Sequence, residues 1–458
     1  MNILEEITAE KRKEVAARKR SRPLESFRGN VSPSERDFYG ALEARKRAGV
    51  PAFILECKKA SPSQGLIREE FSPTEIARVY AKRADAVSVL CDEKFFQGAY
   101  ENLALVRAEL PQPVLCKEFV VDEYQIFLAR SFGADAVLLM LSVLDDETYL
   151  RLSRTAGALN MGVLTEADSP DGVRRANRLG ARVVGINNRD LRTLRTDVSR
   201  TRELAGAVGG NAVRVAESGL RSHADAFACA PFADAFLVGT SLMRERDLDR
   251  ACRALIFGEN KVCGLTRPED ARAALEAGAV FGGLIFAEDS PRKISPERAE
   301  EIVAETPGLD FVCVFRDAGV DEIADTATRL HPAAVQLHGN ADAAFAARLR
   351  ERLPRGVRIW KAVPADAELP RGVCGETVFD RFVLDSGRGG TGTTFPWEKI
   401  PPEAKLRALL AGGLSPENAR AAHRVGCVGL DFNSGVENAP GEKSAEKIRA
   451  AFAEIRKF

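Results

Sequence analysis

From Pro51 onward the chain alternates short, uninterrupted apolar runs with longer segments whose apolar residues recur every three or four positions. The runs are AFILEC (52–57), AVSVLC (86–91), PVLCK (113–117), DAVLLM (135–140), MGVLTE (161–166), RVVGIN (182–187), AVRVAE (212–217) and DAFLVG (234–239). Runs that lack polar alternation predict strands buried on both faces of a parallel sheet. The segments between them read as helices. The clearest start is Ser72-Pro73-Thr74-Glu75, a capping box with proline at the first helical position, leading into Ile76, Val79 and Tyr80. Eight such units over about 200 residues predict a closed (β/α)8 barrel, because an open doubly wound sheet usually has about five or six strands.

The series then restarts with KVCG (261–264), VFGGLIF (280–286), FVCVF (311–315), AAVQLH (333–338), VRIWKAV (357–363), FVLD (382–385), LRALLAG (406–412) and CVGLDF (427–432). The predicted fold class is therefore α/β, two consecutive (β/α)8 TIM barrels, with domains at 1–255 and 256–458 and no Pro- or Ser-rich linker at the join near IFGEN (256–260). The last helix carries Ile448, Ala451, Phe452 and Ile455 in one stripe, suited to covering the final strand. The first fifty residues are helical and charged, with an apolar edge at Ile3, Leu4 and Ile7, and predict a helix packed on the outside of the first barrel. The basic run at 11–22, broken by Glu14, reads as a solvated helix face and not as a nucleic-acid footprint.

Composition narrows the chemistry. The 458 residues are 45% hydrophobic and 29% charged, enough apolar material for large cores. Sixty-six basic residues balance sixty-six acidic ones, so no net field draws the chain toward nucleic acid, and any anion must be gripped locally. No apolar run approaches the ~18 residues of a membrane span, and Glu5 and Glu6 stand where a signal peptide would be apolar. No membrane partner and a cytoplasmic location are expected. The nine cysteines are scattered, with no C-x-x-C pair, and the four histidines stand far apart, so neither disulfides nor a metal site is expected. A monomer is expected, the second barrel covering surface on the first.

In a (β/α)8 barrel the active site forms at the C-terminal ends of the strands. Glu56 and Lys58 end the first strand on one face, Lys117 the third and Glu166 the fifth; Asn187 and Arg189 follow the sixth, and Glu217 with Ser218 closes the seventh. Several charges converging on one cavity cost several kcal/mol each unless they are paired, which favours function over a decorative rim. VAESGL (215–220) echoes LLAGGL (409–414), and each is followed by a second small-residue turn, LVGTSLM (237–243) and DFNSGVE (431–437). Paired turns after strands seven and eight predict a phosphate seat in each barrel. On its own Cys263 reads as a core cysteine. Asp385 follows an apolar run into a Gly-rich loop, where a buried carboxylate needs a partner. His338 suits a structural imidazole as well as a ligand contact, and Trp360 and Trp397 read as packing residues.

The motifs FILECKKASPSQG (53–65), LCKEF (115–119), LTEA (164–167), GINNRDL (185–191) and VAESGL resemble indole-3-glycerol-phosphate synthase as far as about residue 255. KVCGLTRPEDA (261–271), GLIFAEDSPR (283–292), VQLHGN (335–340), VLDSGRGGTG (383–392), LAGGL (410–414) and LDFNSGVE (430–437) resemble phosphoribosylanthranilate isomerase. Together they resemble the fused bifunctional enzymes of bacterial tryptophan biosynthesis. For the first half the resemblance implies Lys117 as general acid, Lys58 as a helper in ring closure and dehydration, and Glu166 as general base. Glu56, Asn187 and Glu217 hold substrate and lysines in register. Phe119, Arg189 and Ser218 are substrate contacts, and Ser61, Gly219, Gly239 and Thr240 seat the phosphate. The family commonly has Ser where Thr240 stands, a change that keeps the hydroxyl. For the second half it implies Cys263 as general base and Asp385 as general acid; a strand-end thiolate near the phosphate dipoles suits that role, with a depressed pKa expected. Arg292 faces the anthranilate carboxylate, and Gly390, Gly392, Gly413, Ser434 and Gly435 cradle phosphate. The partners implied are small anthranilate-bearing sugar phosphates, with no external cofactor. The residues alone leave open a Schiff-base aldolase using Lys58 or Lys117, and a chain in which one barrel is a catalytically dead phosphate sensor.

Overall fold

Each apolar run becomes a strand of a closed parallel barrel. In the computed structural model, which describes residues 2–190, 193–364, 378–386 and 395–458, the first barrel comprises β1 (Ala52–Cys57), β2 (Ala86–Leu90), β3 (Val114–Lys117), β4 (Ala136–Met140), β5 (Gly162–Ala167), β6 (Val183–Asn187), β7 (Val213–Glu217) and β8 (Ala235–Val238). It closes where Ala52 of β1 pairs with Ala235 of β8. The second comprises β9 (Lys261–Val262), β10 (Phe281–Ile285), β11 (Asp310–Arg316), β12 (Ala334–His338), β13 (Arg358–Pro364), β14 (Arg381–Asp385), β15 (Ala408–Leu410) and β16 (Gly429–Phe432), and closes where Lys261 pairs with Asp431. The chain divides into two compact units, Met1–Cys252 and Arg253–Phe458.

Inside the first barrel, Ala52, Ile54, Leu115, Leu138, Met140, Leu164, Val213, Val215 and Leu237 form one buried cluster, as expected for residues alternating inward along each strand. The helix Phe38–Arg47 closes the N-terminal end: Phe38 packs so tightly on Gly162, at the start of β5, that a Cβ there would come within 2.6 Å of its ring. Ser72 caps the helix Pro73–Tyr80 by accepting from the Glu75 N–H, the forward half of the expected capping box, with proline in the first turn. In the second barrel Trp360 is fully buried, edge-on to Phe281 with centroids 4.9 Å apart, a packing role. The final helix, Ala445–Ile455, buries the expected Ile448, Ala451, Phe452 and Ile455, and Phe452 meets Phe432 of β16.

The first helix departs from expectation. Ile3–Ser21, fixed at its start by an Asn2–Glu5 capping box, buries Leu4, Ile7, Lys11 and Val15 on one face. It does not lie on the outside of the barrel. Lys11 Nζ reaches Asp92 Oδ2 at 2.9 Å and Glu118 Oε2 at 3.0 Å, just beyond the C-terminal ends of β2 and β3, and Glu14 Oε2 at 2.7 Å on its own helix. Lys19 pairs with Asp122, and Leu4, Thr8 and Arg12 share a cavity with Leu141–Val143 after β4 and with Asp168, Ser169, Asp171 and Gly172 after β5. The helix therefore crosses the rim of the barrel. Two features hold it there: Leu4 and Ile7 join the barrel's buried apolar cluster, and Lys11, expected in a solvated face, is only 2% exposed, with its carboxylate partners on that rim. Among the described residues no helix is long and apolar enough to cross a membrane.

Candidate active sites

Charged side chains gather at the C-terminal ends of the strands of the first barrel. Lys58 Nζ lies 3.0 Å from Glu56 Oε1, and Ser88 on β2 donates to Glu56 Oε2 at 3.3 Å. Lys117 Nζ donates to Glu166 Oε2 at 3.1 Å and Glu217 Oε2 at 3.0 Å, while Asn187 Nδ2 donates to Glu166 Oε1 at 3.0 Å. Burial opposes the Lys117 charge, but Glu217, Glu166 and Glu56 outweigh it and push its pKa well above the usual lysine range. Glu217 goes the other way from a simple ion pair. Burial, aided by repulsion from Glu166 and Glu56 and opposed by Lys117, pushes it up to about 7. Its Oε1 is buried without a hydrogen-bond partner and lies against Gly185 of β6.

The expected contacts surround this cluster unevenly. Phe119 is buried against Phe96, with ring centroids 6.1 Å apart. Ser61 sits in a small hairpin (Ala60–Ser61 with Gly65–Leu66), its Oγ buried and unpartnered. Arg189 hydrogen-bonds Ser63 of that hairpin. After β7, Ser218 and Gly219 are both left-handed, at φ 66° and 83°, as are Gly412 and Gly413 after β15, at 88° and 60°. The VAESGL/LLAGGL echo is thus one backbone turn used twice, and Ser218 holds a conformation usual only for glycine. Gly239 and Thr240 follow β8. A Cβ on Gly239 would meet Glu56 Oε1 at 2.5 Å, so this glycine admits the carboxylate into the rim.

In the second barrel a cavity of about 240 Å³ is lined by Cys263, Arg292, His338, Asp385, Asp431 and the turn residues Gly413 and Ser434, among others. Burial, with repulsion from Asp431, pushes Asp385 up to about 6. Gly435 packs on the Leu414 carbonyl, where a Cβ would come within 2.1 Å, joining the two Gly-rich turns. Gly390 and Gly392 lie outside the described residues. Two expectations change here. Cys263 is not depressed: burial of the thiol outweighs the neighbouring cations and pushes its pKa up. Arg292 lines the cavity, but its fork is engaged by Glu437, with Nε at 2.9 Å from Oε1 and Nη2 at 2.8 Å from Oε2. His338 is hydrogen-bonded through Nε2 to Gln336 Nε2 at 2.9 Å, and burial, with Lys261, Arg316 and Lys361 nearby, pushes its pKa down to about 3, leaving a neutral imidazole.

Sequence reasoning missed the supports of these groups. Lys261 Nζ is held by Asp431 Oδ2 at 2.7 Å and Gln336 Oε1 at 2.9 Å, and Lys443 Nζ by Asn433 Oδ1 at 2.9 Å. The period of two was a usable signal, since Lys261 and Cys263 stand two apart and face the same way. No comparable signal marks Glu118 or Lys11 in the first barrel.

Comparison with known proteins agrees with this division of chemistry. Residues 4–255 match the family model of indole-3-glycerol phosphate synthase, and residues 260–454 that of N-(5'-phosphoribosyl)anthranilate isomerase. The chain is 48% identical over 456 residues to the tryptophan biosynthesis protein TrpCF of Salmonella typhi, covering 100% of this chain and 99% of that one. It is 49% identical over 456 residues to TrpCF of Yersinia pestis, covering 100% and 94%. A phosphoribosyl anthranilate isomerase structure from Thermus thermophilus overlaps 43% of this chain and 97% of its own at 35% identity, with a TM-score of 0.40. The aldolase and dead-barrel alternatives fall with the family-model and TrpCF matches, and the chain belongs to the bifunctional TrpCF family of tryptophan biosynthesis, a synthase barrel followed by an isomerase barrel.

Proposed function

We propose that the family's two consecutive reactions are divided between residues 1–255 and 256–458 and carried by the two rims described above. In the second barrel, Asp385 protonates the furanose ring oxygen of N-(5-phosphoribosyl)anthranilate. The C1–O bond breaks as the anilino nitrogen's lone pair forms a C=N bond, opening the ring. Cys263 as thiolate then removes the C2 proton; the C–H electron pair becomes the C1=C2 bond as the C=N π pair returns to the anilino nitrogen, and the resulting enol tautomerises to the ketone. The raised pKa of Asp385 keeps part of its population protonated near neutral pH, as a general acid requires. Gly413, Ser434 and Gly435, with Gly390 and Gly392, cradle the phosphate. Arg292 meets the substrate's carboxylate with whatever of its fork Glu437 leaves free.

In the first barrel the product, 1-(2-carboxyphenylamino)-1-deoxyribulose 5-phosphate, loses carbon dioxide and water as the ring carbon bonds to the former sugar carbonyl. Lys117, always charged here, donates to that carbonyl oxygen. Lys58 assists ring closure and dehydration, Glu166 takes the proton released in dehydration, and Glu56, Asn187 and Glu217 hold the lysines in place. Phe119, Arg189 and Ser218 contact the substrate. Ser61, Gly219, Gly239 and Thr240 seat its phosphate, and the unpartnered Ser61 Oγ has a hydrogen bond to give. The partners are these small sugar phosphates; the setting is cytoplasmic, the chain monomeric, and each rim draws on a single unit.

The observation that carries this reading is the Glu166–Lys117–Glu217 bridge, a cation held between two carboxylates where bond formation needs acid and base together. Lys117→Ala and Cys263→Ala, assayed separately in the full chain by indole-glycerol phosphate fluorescence and by isomerase turnover, test it. Each is expected to lose one activity by about a hundredfold or more and spare the other. Loss of both activities in either variant, or of neither, overturns the division.

A further inference from the structure

A buried thiol is poorly suited to be an anion. Cys263 is 5% exposed, and the groups facing it disagree. Asp431 on β16 disfavours its ionisation, whereas Lys261 on its own strand and Lys443 from the hairpin before the last helix favour it; Arg292, after β10, adds positive charge from the opening. Two of these cations are committed elsewhere: Arg292 to Glu437, and Lys443 to Glu437 and Asn433. Lys261 differs in geometry. It is fully buried, its Nζ is fixed by Asp431 and Gln336, it stands two residues before Cys263, and its charge is the largest influence favouring the thiolate. The two side chains share one niche, cleared by Gly283 on β10, where a Cβ would come within 2.6 Å of Cys263 Sγ and 2.9 Å of Lys261 Cε.

We propose that Lys261 is the positioning residue of the isomerase: its ammonium, anchored between Asp431 and Gln336, faces Cys263 Sγ and stabilises the thiolate form that abstracts the C2 proton. This rests on the assignment of Cys263 as that base. When Sγ takes the proton, its negative charge passes to the substrate, and Lys261 remains paired with Asp431, so no buried charge is stranded at either end of the step. Asp431 has two opposed effects: it fixes the ammonium in place and weakens that ammonium's pull on the sulfur.

The test is made in the full chain with Lys261→Met and Asp431→Asn, reading the rate of iodoacetamide alkylation at Cys263, mapped by peptide mass, against pH. The alkylation midpoint should rise by about one pH unit or more in Lys261→Met and fall in Asp431→Asn, because an ammonium no longer neutralised acts on the sulfur alone. Isomerase kcat/KM near neutral pH should drop about tenfold or more in Lys261→Met, following the thiolate fraction, with synthase activity unchanged. A midpoint unmoved in Lys261→Met overturns the proposal even if the isomerase falls. If Lys261→Met does not fold, Asp431→Asn decides alone, and a midpoint that stays or rises overturns it. Isomerase activity surviving in Cys263→Ala instead removes the underlying base assignment, a distinguishable failure.

Discussion

Burial displaces Asp385 and Cys263 in the same direction, and the proposed mechanism asks opposite things of them. Asp385, raised to about 6, must keep its proton, while Cys263, also raised, must lose one. As pH climbs through about 6 the carboxyl ionises before the thiol does, so the productive pair is a minority form. Its abundance is level between the two pKa values and falls about tenfold per unit beyond either. Isomerase kcat/KM should therefore show its acid limb near pH 6, a level stretch above it, and a second limb only in the thiol range. A limb centred near the ordinary carboxylate value of about 4 would contradict the burial argument. Gly239 shows the same economy in the synthase rim, since its missing side chain is the space that Glu56 fills.

The first helix crosses the rim of the synthase barrel and is tied to it through Lys11. Lys11→Met would strand Asp92 and Glu118 beside one another, and Glu118 already stands at about 7 because burial outweighs Lys11's pull. Removing one partner from a buried ion pair typically costs about 3–5 kcal/mol. Urea denaturation should show a loss of that order in the first unit, with synthase activity falling and isomerase activity intact; an unchanged midpoint would mean that the cage contributes nothing. The strands were legible because each is a short apolar run between turn residues, and the last helix because its stripe is uninterrupted. Lys11 was not, because a lysine in the stripe Leu4, Ile7, Lys11, Val15 looks like the end of the apolar face until its partners are known. The same holds for Arg292, whose carboxylate lies 145 positions along the chain, and for Lys261, whose lies 170 along. Spacing within a strand or helix reports a residue's direction; only the closed fold reports what it meets.

Taken together, the two rims work on successive forms of one molecule, and each is assembled from groups of a single unit. If the intermediate passes through solution, a mixture of Lys117→Ala and Cys263→Ala chains should restore indole-glycerol phosphate formation from phosphoribosyl anthranilate after a lag that shortens with protein concentration. A mixture that stays inactive while each chain keeps its remaining activity would show that the intermediate does not escape. The crossing of the first helix over the rim also bears on how the protein is made. Lys11 leaves the ribosome long before Asp92 and Glu118, so the first helix stays solvated until the third strand has emerged. Only then can that helix close over the synthase mouth.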